Sequence, residues 1–385
     1  MTAKGLSSPD IRKRNKSNIL RLIHRHGGMA RNDLAKALGL TRASVTYLMN
    51  ELMDEGLVEE GGMATEEKKV GRRKVAMRIR PAAGLALGVG MELERLQLVL
   101  TDLAGTVLAS RDLSSPADPG RSGEEAAQSL AKRVAECARE MVAKKDRAKL
   151  VGTGIVLTGR VDSELGSSLR EPRLWSGPVP LKDAMEEALG TRVAVDNNVR
   201  ALALAELLLT PARSAPPSGL LFVKYGPGVG GAWLAGGSPW PGAHFRSGEI
   251  GHTIVAEDGP PCPYCGRRGC LESLVSAQAL GATLNIQGER AETLCSRLES
   301  DAPEAFSLLA SRFARALGNA IELYDPSLVA LYGLPFLQGR LFDEIASRVE
   351  ANDRPCDIRR SALDPALPAL GGAALALERF FLGQP

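Results

Sequence analysis

The chain has 385 residues, of which 44% are hydrophobic and 24% charged, and its formal net charge at pH 7 is +3. This composition is typical of a globular protein of about two or three domains. No apolar run reaches the roughly 18 residues that a membrane-spanning helix needs, and the N-terminus lacks the apolar core of a signal peptide. We therefore expect a cytoplasmic protein with reduced thiols and no membrane partner.

The positive charge is concentrated at the front of the chain. Residues 1–80 contain 17 Lys/Arg and 9 Asp/Glu, whereas the remaining residues contain 31 and 36. A basic segment ahead of a mildly acidic body predicts that only the front end binds a polyanion. A solvated basic face is the alternative that charge alone leaves open.

Apolar residues at helical spacing predict three helices in the first 56 residues. Asp10 is placed to cap the first helix and Thr41 the third, while Gly39 and Gly56 end the second and third. A tight turn containing glycine joins the second and third helices. This arrangement is a helix-turn-helix, whose second helix enters the major groove of DNA.

A hairpin follows the third helix and completes a winged helix-turn-helix of the α+β class. In its last strand Val75, Met77 and Ile79 alternate with other residues, and the loop before that strand is rich in Lys and Arg. We predict that the DNA-binding residues are Arg42, Ser44, Thr46 and Tyr47 on the third helix and Arg72 and Arg73 in the wing. A protein-interaction module is the alternative; the excess positive charge favours double-stranded DNA.

The chain after Pro81 alternates between strands and helices. Three consecutive strands followed by alternating helices and strands occur twice, which predicts an α/β body of two lobes. We place the domains at residues 1–80, 81–210 and 218–385, with a C-terminal helix that can return to the first lobe. Two glycine-containing turns, at 102–105 and 226–231, are weak signals for phosphate binding.

A cluster of histidine and cysteine follows the second glycine-rich turn. His252, Cys262, Cys265 and Cys270 lie within 19 residues of a chain that contains only four His and six Cys. Cys₃His is a closed tetrahedral ligand set for zinc, and the surrounding prolines and glycines supply the turns that bring four ligands together. We predict a structural Zn²⁺ site; free buried thiols and a redox Cys-x-x-Cys pair are the alternatives.

These segments together resemble the ROK family of sugar kinases and sugar-responsive repressors. The segments that carry the resemblance are GEIGH (248–252), CPYCGRRGCLE (262–272), VDNNVRALALAE (195–206), GPGVGGAWLAGG (226–237) and DLAG (102–105). The resemblance implies an actin- or hexokinase-like α/β body of two lobes behind the winged helix-turn-helix. It also implies that Glu249, His252 and Glu272 hydrogen-bond sugar hydroxyls, and that His252 is at the same time a zinc ligand.

Two departures from the family pattern bear on function. The first is in the turn that contains the three cysteines, the knuckle (262–270), where two residues rather than one separate Cys262 from Cys265. The second is the kinase base: the family's catalytic Asp lies eight residues before Glu206, where this chain has Asn198. An amide cannot accept the proton of the attacking hydroxyl, and loss of a general base costs typically ~10²–10⁴-fold in rate.

Where the kinases of the family carry a Gly-Gly-Thr phosphate turn, after the first strand of the body, this chain has Glu92 and Glu94, whose charge would repel ATP. We therefore predict that the chain is not an enzyme and that Asn197 and Asn198 hydrogen-bond the sugar. The predicted function is a transcriptional regulator, most simply a repressor of carbohydrate-metabolism genes. A small sugar or sugar phosphate would close the two lobes and change the spacing or mobility of the DNA-binding heads of a homodimer or homotetramer.

Two alternatives are kept open. An active ATP-dependent sugar kinase with a DNA-binding head would turn over nucleotide, which an assay of ADP release detects. A regulator that responds to a protein partner through the zinc region would bind no sugar.

Overall fold

The computed structural model describes residues 7–63, 75–210, 217–351 and 356–383. The chain forms two compact units. The first contains the chain up to Ala215 together with Leu367 onwards, and the second is Pro216–Ala366. In the part of the chain that is described, no helix combines the length and the apolar character needed to cross a bilayer.

The first unit begins with a three-helix head and a small sheet. Its elements are α1 (Ser8–His26), β1 (Met29–Ala30), α2 (Arg31–Leu38), α3 (Arg42–Asp54), β2 (Val58–Met63) and β3 (Val75–Ile79). Strand β3 lies in the middle of the sheet and pairs antiparallel with β1 and β2. This is the predicted winged helix-turn-helix.

Local capping explains where the helices of the head begin. Thr41 caps α3 as predicted, since its side chain accepts a hydrogen bond from the Ser44 N–H. The prediction for α1 was wrong by three residues: Ser7 is the N-cap, and Asp10 is the third residue of a capping box. The buried stripe of α3 contains Val45, Leu48, Met49 and Leu52.

A five-stranded mixed sheet and its helices follow the head in the first unit. The strands are β4 (Leu85–Met91), β5 (Arg95–Asp102), β6 (Val107–Ser114), β7 (Leu150–Leu157) and β11 (Val193–Asn197), in the order β11-β7-β4-β5-β6. A second small sheet contains β8 (Arg160–Asp162), β9 (Ser167–Arg170) and β10 (Val179–Pro180). The helices are α4 (Gly123–Met141), α5 (Lys182–Leu189) and α6 (Asn198–Leu209). Because β4, β7 and β11 are parallel, their carboxyl ends meet at one edge.

The second unit contains a mixed sheet of the same size. Its strands are β12 (Gly219–Tyr225), β13 (Val229–Ala235), β14 (Ser238–Pro239), β15 (Leu328–Tyr332) and β16 (Asp357–Arg360), in the order β14-β13-β12-β15-β16. Its helices are α7 (Leu271–Val275), α8 (Ala277–Leu284), α9 (Ala291–Asp301), α10 (Pro303–Tyr324), α11 (Leu334–Leu337) and α12 (Leu341–Glu350). The residues between β14 and α7 contain the histidine and cysteine cluster.

The last helix, α13 (Leu370–Leu377), packs on the sheet of the first unit. Glycines allow it to approach β4 and β7 closely. A Cβ atom built on Gly88 would lie 2.2 Å from the Ala369 carbonyl oxygen, and one on Gly154 would lie 2.0 Å from the Gly372 carbonyl oxygen. Side chains are thus excluded at this contact, and backbone packs directly against backbone.

The head and the sheet of the first unit share one apolar core. Ile19 and Ile23 of α1 belong to the same buried cluster as Leu377, the last residue of α13, and Phe381, which follows that helix. At the edge of this contact the Arg21 guanidinium forms an ion pair of 2.5 Å with the Glu378 carboxylate. The three-helix head is therefore packed onto the body through α1.

Helix α1 also carries the partly buried His24, whose two ring nitrogens are buried, and this predicts a pH dependence of stability. Burial lowers the pKa of His24, while the backbone of Leu103 and the charge of Asp102 oppose the shift. A histidine whose folded-state pKa is lowered stabilises the fold fully above its unfolded value of about 6.5, and this contribution is lost as pH falls through the folded pKa. We expect the free energy of unfolding to fall as the pH drops below about 6.5, with a slope from this residue of at most ~1.4 kcal/mol per pH unit.

Urea denaturation at several pH values measures this slope in the wild type, in His24→Leu and in the control variant His26→Gln. His24→Leu should flatten the slope, and His26→Gln should keep it. Equal slopes in the wild type and His24→Leu would contradict the assignment.

Candidate functional site

One face of α3 is exposed and carries the side chains predicted to contact DNA. Arg42, Ser44, Thr46 and Tyr47 are all exposed, and Tyr47 has 55% of its surface accessible. The Ser44 hydroxyl lies 2.8 Å from the Thr41 hydroxyl, so it also supports the cap of the helix. The predicted wing residues Arg72 and Arg73 lie outside the described residues.

Helix α1 holds α3 through residues that the sequence analysis did not single out. The Arg12 guanidinium lies 5.1 Å from the centre of the Tyr47 ring, and its Nε donates to the Glu51 carboxylate over 3.0 Å. Lys16 pairs with Glu51 at 3.1 Å and with Glu55 at 2.5 Å. The signal available in the sequence was the four-residue spacing of Arg12 and Lys16, which places both side chains on the same face of one helix.

The four predicted metal ligands lie together in the second unit. Their ligand atoms are all within 4.8 Å of one another. His252 Nδ1 is 3.6 Å from the Cys262 sulfur, and the sulfurs of Cys265 and Cys270 are 3.4 Å apart. A tetrahedral zinc with bonds of about 2.0 Å to nitrogen and 2.3 Å to sulfur needs ligand separations of about 3.5–3.8 Å. The donor set and its spacing therefore fit zinc.

The additional knuckle residue does not remove Cys265 from the cluster. Burial alone would raise the pKa of Cys265, but hydrogen bonds from the backbone and side chain of Arg267 lower it to about 6. A thiolate at neutral pH is the form that binds metal. The two residues between Cys262 and Cys265 are thus accommodated in the turn.

The two nitrogens of His252 face different groups. Nδ1 faces the cysteines, whereas Nε2 lies 3.8 Å from a carboxylate oxygen of Glu249. Glu249 is about half exposed, with a side-chain accessibility of 47%. A metal on Nδ1 would fix the ring and leave Nε2 directed towards Glu249.

Glu272 lies against the glycine-rich turn between β12 and β13. Its Oε2 accepts a hydrogen bond of 2.9 Å from the Val229 N–H. A Cβ atom on Gly228 would lie 2.6 Å from the same oxygen, so a side chain there would displace the carboxylate. The turn therefore positions Glu272, which follows Cys270 by two residues.

Asn197 and Asn198 lie where β11 meets α6 in the first unit, but their side chains have different roles. Asn197 caps α6: its Oδ1 accepts from the Val199 and Arg200 N–H groups, and its Nδ2 donates to the Gly159 carbonyl over 2.9 Å. Asn198 is buried, and its Nδ2 lies 3.5 Å from Glu92 Oε1. Both asparagines are therefore engaged within the first unit.

The neighbouring carboxylate, Asp196, is held by a buried ion pair. Its Oδ1 accepts from Arg200 Nε at 2.7 Å and from the Asn197 N–H at 2.7 Å. Both Asp196 and Arg200 are less than 10% exposed. Asp196 is thus engaged by Arg200 within the first unit.

Comparison with known proteins assigns the family. The sequence profile of the ROK family matches residues 86–379, and a profile described as winged helix-turn-helix DNA-binding matches residues 12–59. The chain belongs to the ROK family. Its His/Cys cluster is consistent with the zinc site expected from the resemblance.

Relatives of this ROK protein include two regulators. It is 25% identical over 355 residues to the xylose repressor of Caldicellulosiruptor bescii. This match covers 87% of this chain and 86% of the relative. It is 26% identical over 340 residues to the DNA-binding transcriptional dual regulator NagC of Escherichia coli, covering 84% and 81%. A crystal structure of a ROK family transcriptional regulator, a homologue of the E. coli MLC protein, superposes with a TM-score of 0.77 at 24% identity, covering 97% and 98%.

Proposed function

We propose that this ROK protein is a sugar-responsive transcriptional repressor of carbohydrate-metabolism genes, which binds a double-stranded DNA operator as a homodimer or homotetramer. The observation that carries the proposal is the exposed face of α3, in a winged helix-turn-helix packed on a ROK body. The regulators among its relatives support the same function.

The protein regulates without catalysing phosphate transfer. Asn198 stands at the position of the kinase base, and an amide cannot accept the substrate proton. Asp196, the nearest carboxylate in sequence, is occupied by its ion pair with Arg200. ADP release at ordinary enzymatic rates in the presence of sugar and ATP would contradict this part of the proposal.

Zn²⁺ is held by His252, Cys262, Cys265 and Cys270 and has a structural role. The metal stabilises the knuckle and fixes the imidazole of His252. Glu249, His252 and Glu272 then hydrogen-bond sugar hydroxyls, since a carboxylate accepts bonds from adjacent hydroxyl groups. Asn198 is kept as a proposed hydrogen-bond partner of the sugar, whereas Asn197 acts through its cap on α6.

Binding of the sugar alters the affinity for DNA by typically ~1–3 kcal/mol, the usual size of an allosteric coupling. The route to DNA includes α1, because this helix packs on the residues after α13 and also contacts α3 through Arg12 and Lys16. A change in the body can thus reach the recognition helix through contacts within the first unit.

Loss of the recognition side chains is expected to weaken operator binding. A side chain that reads a base contributes about 1–3 kcal/mol, so Arg42→Ala and Tyr47→Ala should each raise the Kd roughly ten- to a hundredfold. Gel-shift titration against DNA from upstream of the gene measures the Kd, with and without a panel of sugars. Arg139→Ala is the matched control. Arg139 is exposed on α4, so this substitution removes the same charge at a position outside α3. An unchanged Kd in both α3 variants would contradict the assignment of α3 as the helix that recognises DNA.

A further inference from the structure

The turn between β5 and β6, residues 102–105, is closed by one of its own side chains. Asp102 Oδ1 accepts hydrogen bonds of 2.9 Å from the N–H groups of both Ala104 and Thr106. A phosphate bound by such a turn uses backbone N–H groups, and two of them are already occupied here. The glycine in this turn therefore has to be explained by what packs against it.

The three-helix head packs on this turn. Leu103 is fully buried and lies in the same apolar cluster as Ile19 and Ile23 of α1. Its N–H donates over 3.2 Å to the carbonyl oxygen of Pro81, which lies between β3 of the head and β4 of the body. The turn thus contacts both the first helix of the head and the segment that joins the head to the body.

The end of α6 packs against the glycine of the same turn. A Cβ atom built on Gly105 would lie 2.3 Å from Leu209 Cδ2, so only a residue without a side chain lets the end of α6 approach this closely. Gly105 also has a φ of +87°, a conformation that favours glycine. Leu208 and Leu209 pack in addition against the apolar cluster that contains Ile19 of α1. The end of α6 and the head therefore meet at one turn.

The other end of α6 carries the asparagine that we propose as a sugar contact. The helix begins at Asn198, and all its residues from there to Glu206 are buried. Its middle approaches α13 closely, since a Cβ atom on Gly371 would lie 3.0 Å from the Leu202 nitrogen. Twelve residues at about 1.5 Å each give a length of roughly 18 Å. Because backbone hydrogen bonds connect successive turns, a displacement of the first residue moves the last.

We propose that α6 transmits effector binding from Asn198 to the head, and that Leu209 and Gly105 form the contact at which this signal reaches the head. The inference rests on the proposed function, in which Asn198 hydrogen-bonds a sugar, and it uses contacts within the first unit alone. A sugar that shifts the start of α6 moves Leu209 against the turn. The turn is held to α1 through Leu103, so the head moves with it. Leu209 and Gly105 are therefore positioning residues.

Removal of the Leu209 side chain from the full-length protein tests the proposal. Gel shifts give the ratio of the operator Kd values with and without saturating sugar, and the probes are xylose, glucose, N-acetylglucosamine and the 6-phosphates of the two hexoses. An allosteric coupling of the usual size makes this ratio roughly 5- to 150-fold in the wild type. In Leu209→Ala we expect it to fall below twofold. The calorimetric Kd for sugar and the operator Kd without sugar should each change less than threefold.

Matched variants separate this contact from a general loss of stability. Leu189→Ala removes the same side chain from the end of α5, where it packs on the other apolar core of the unit. Gly105→Ala should also reduce the ratio, because its methyl group would meet Leu209. Its control is Gly190→Ala, at a φ of +64° with no atom within 4 Å of the added Cβ. Leu209→Met keeps a side chain of similar size and should retain the ratio. Thermal midpoints show that each variant is folded.

Three outcomes decide between the claims. A wild-type ratio in Leu209→Ala overturns this inference and leaves the proposed function standing. An equal loss of the ratio in Leu189→Ala and Gly190→Ala also overturns it, because the response would then depend on the stability of the whole unit. If no probe changes the operator affinity of the wild type, the sugar-responsive function itself fails, and this inference fails with it.

Discussion

Replacement of Cys270 by Ser is expected to release the metal and to abolish the response to sugar. Cys270 is fully buried, and its sulfur lies 3.4 Å from that of Cys265. Structural zinc contributes an apparent ~10–16 kcal/mol in small zinc-binding peptides, so loss of one of four ligands removes several kcal/mol of local stability. His252 then loses the metal that fixes its ring, and Glu272, two residues after Cys270, loses its position.

Metal analysis of the purified protein measures the first effect, and sugar calorimetry measures the second. Cys356→Ser is the matched control, since Cys356 lies in the same unit outside the cluster. It should keep one zinc per chain and the affinity for sugar. Stoichiometric zinc and an unchanged sugar affinity in Cys270→Ser would show that the cluster is not the zinc site we propose.

Replacement of Gly154 by Ala is expected to destabilise the first unit by about 3 kcal/mol, at the upper end of the range for an overpacked core. The added Cβ would lie 2.0 Å from the Gly372 carbonyl oxygen and 3.1 Å from the Ala376 nitrogen. Both are backbone atoms of α13, so the strain is relieved only by moving the helix. Because α1 packs on the residues after α13, operator binding should weaken as well.

Urea denaturation gives the change in the free energy of unfolding, and gel shifts give the change in operator affinity. Gly177→Ala is the control in the same unit, because its Cβ would meet only the Ser122 side chain, at an ordinary distance of 3.4 Å. A Gly154→Ala protein as stable as Gly177→Ala would show that α13 moves away from the sheet at little cost.

Features set by local sequence were predictable. The helices of the head follow from apolar spacing and from caps such as Thr41, and the metal cluster follows from the spacing of its cysteines. The cap formed by Asn197 was also predictable, because Asn before a helix is among the preferred N-cap residues. Its assignment to the sugar came from the resemblance and overlooked this local role.

Features that join distant parts of the chain were not predictable in the same detail. The contact of α13 with β4 and β7 joins residues more than 200 positions apart. Its only trace in the sequence is a few glycines, and nothing in a single sequence indicates that those glycines lie against one another. The hairpin of β8 and β9 is short and lacks a clear apolar alternation, so the pairing of Arg160 with Arg170 emerges only from the register.

The continuous core beneath α1 has a consequence for engineering. A fragment that ends at residue 80 would leave Ile19 and Ile23 without Leu377 and Phe381, and we expect such a fragment to aggregate. A chimaera that joins this winged helix-turn-helix to the ligand-binding body of another protein would likewise have to include the C-terminal segment that contains Leu377 and Phe381. An exchange of DNA specificity therefore has to preserve the contacts between α1 and the C-terminal residues, and it cannot be made by joining two chains at a single peptide bond.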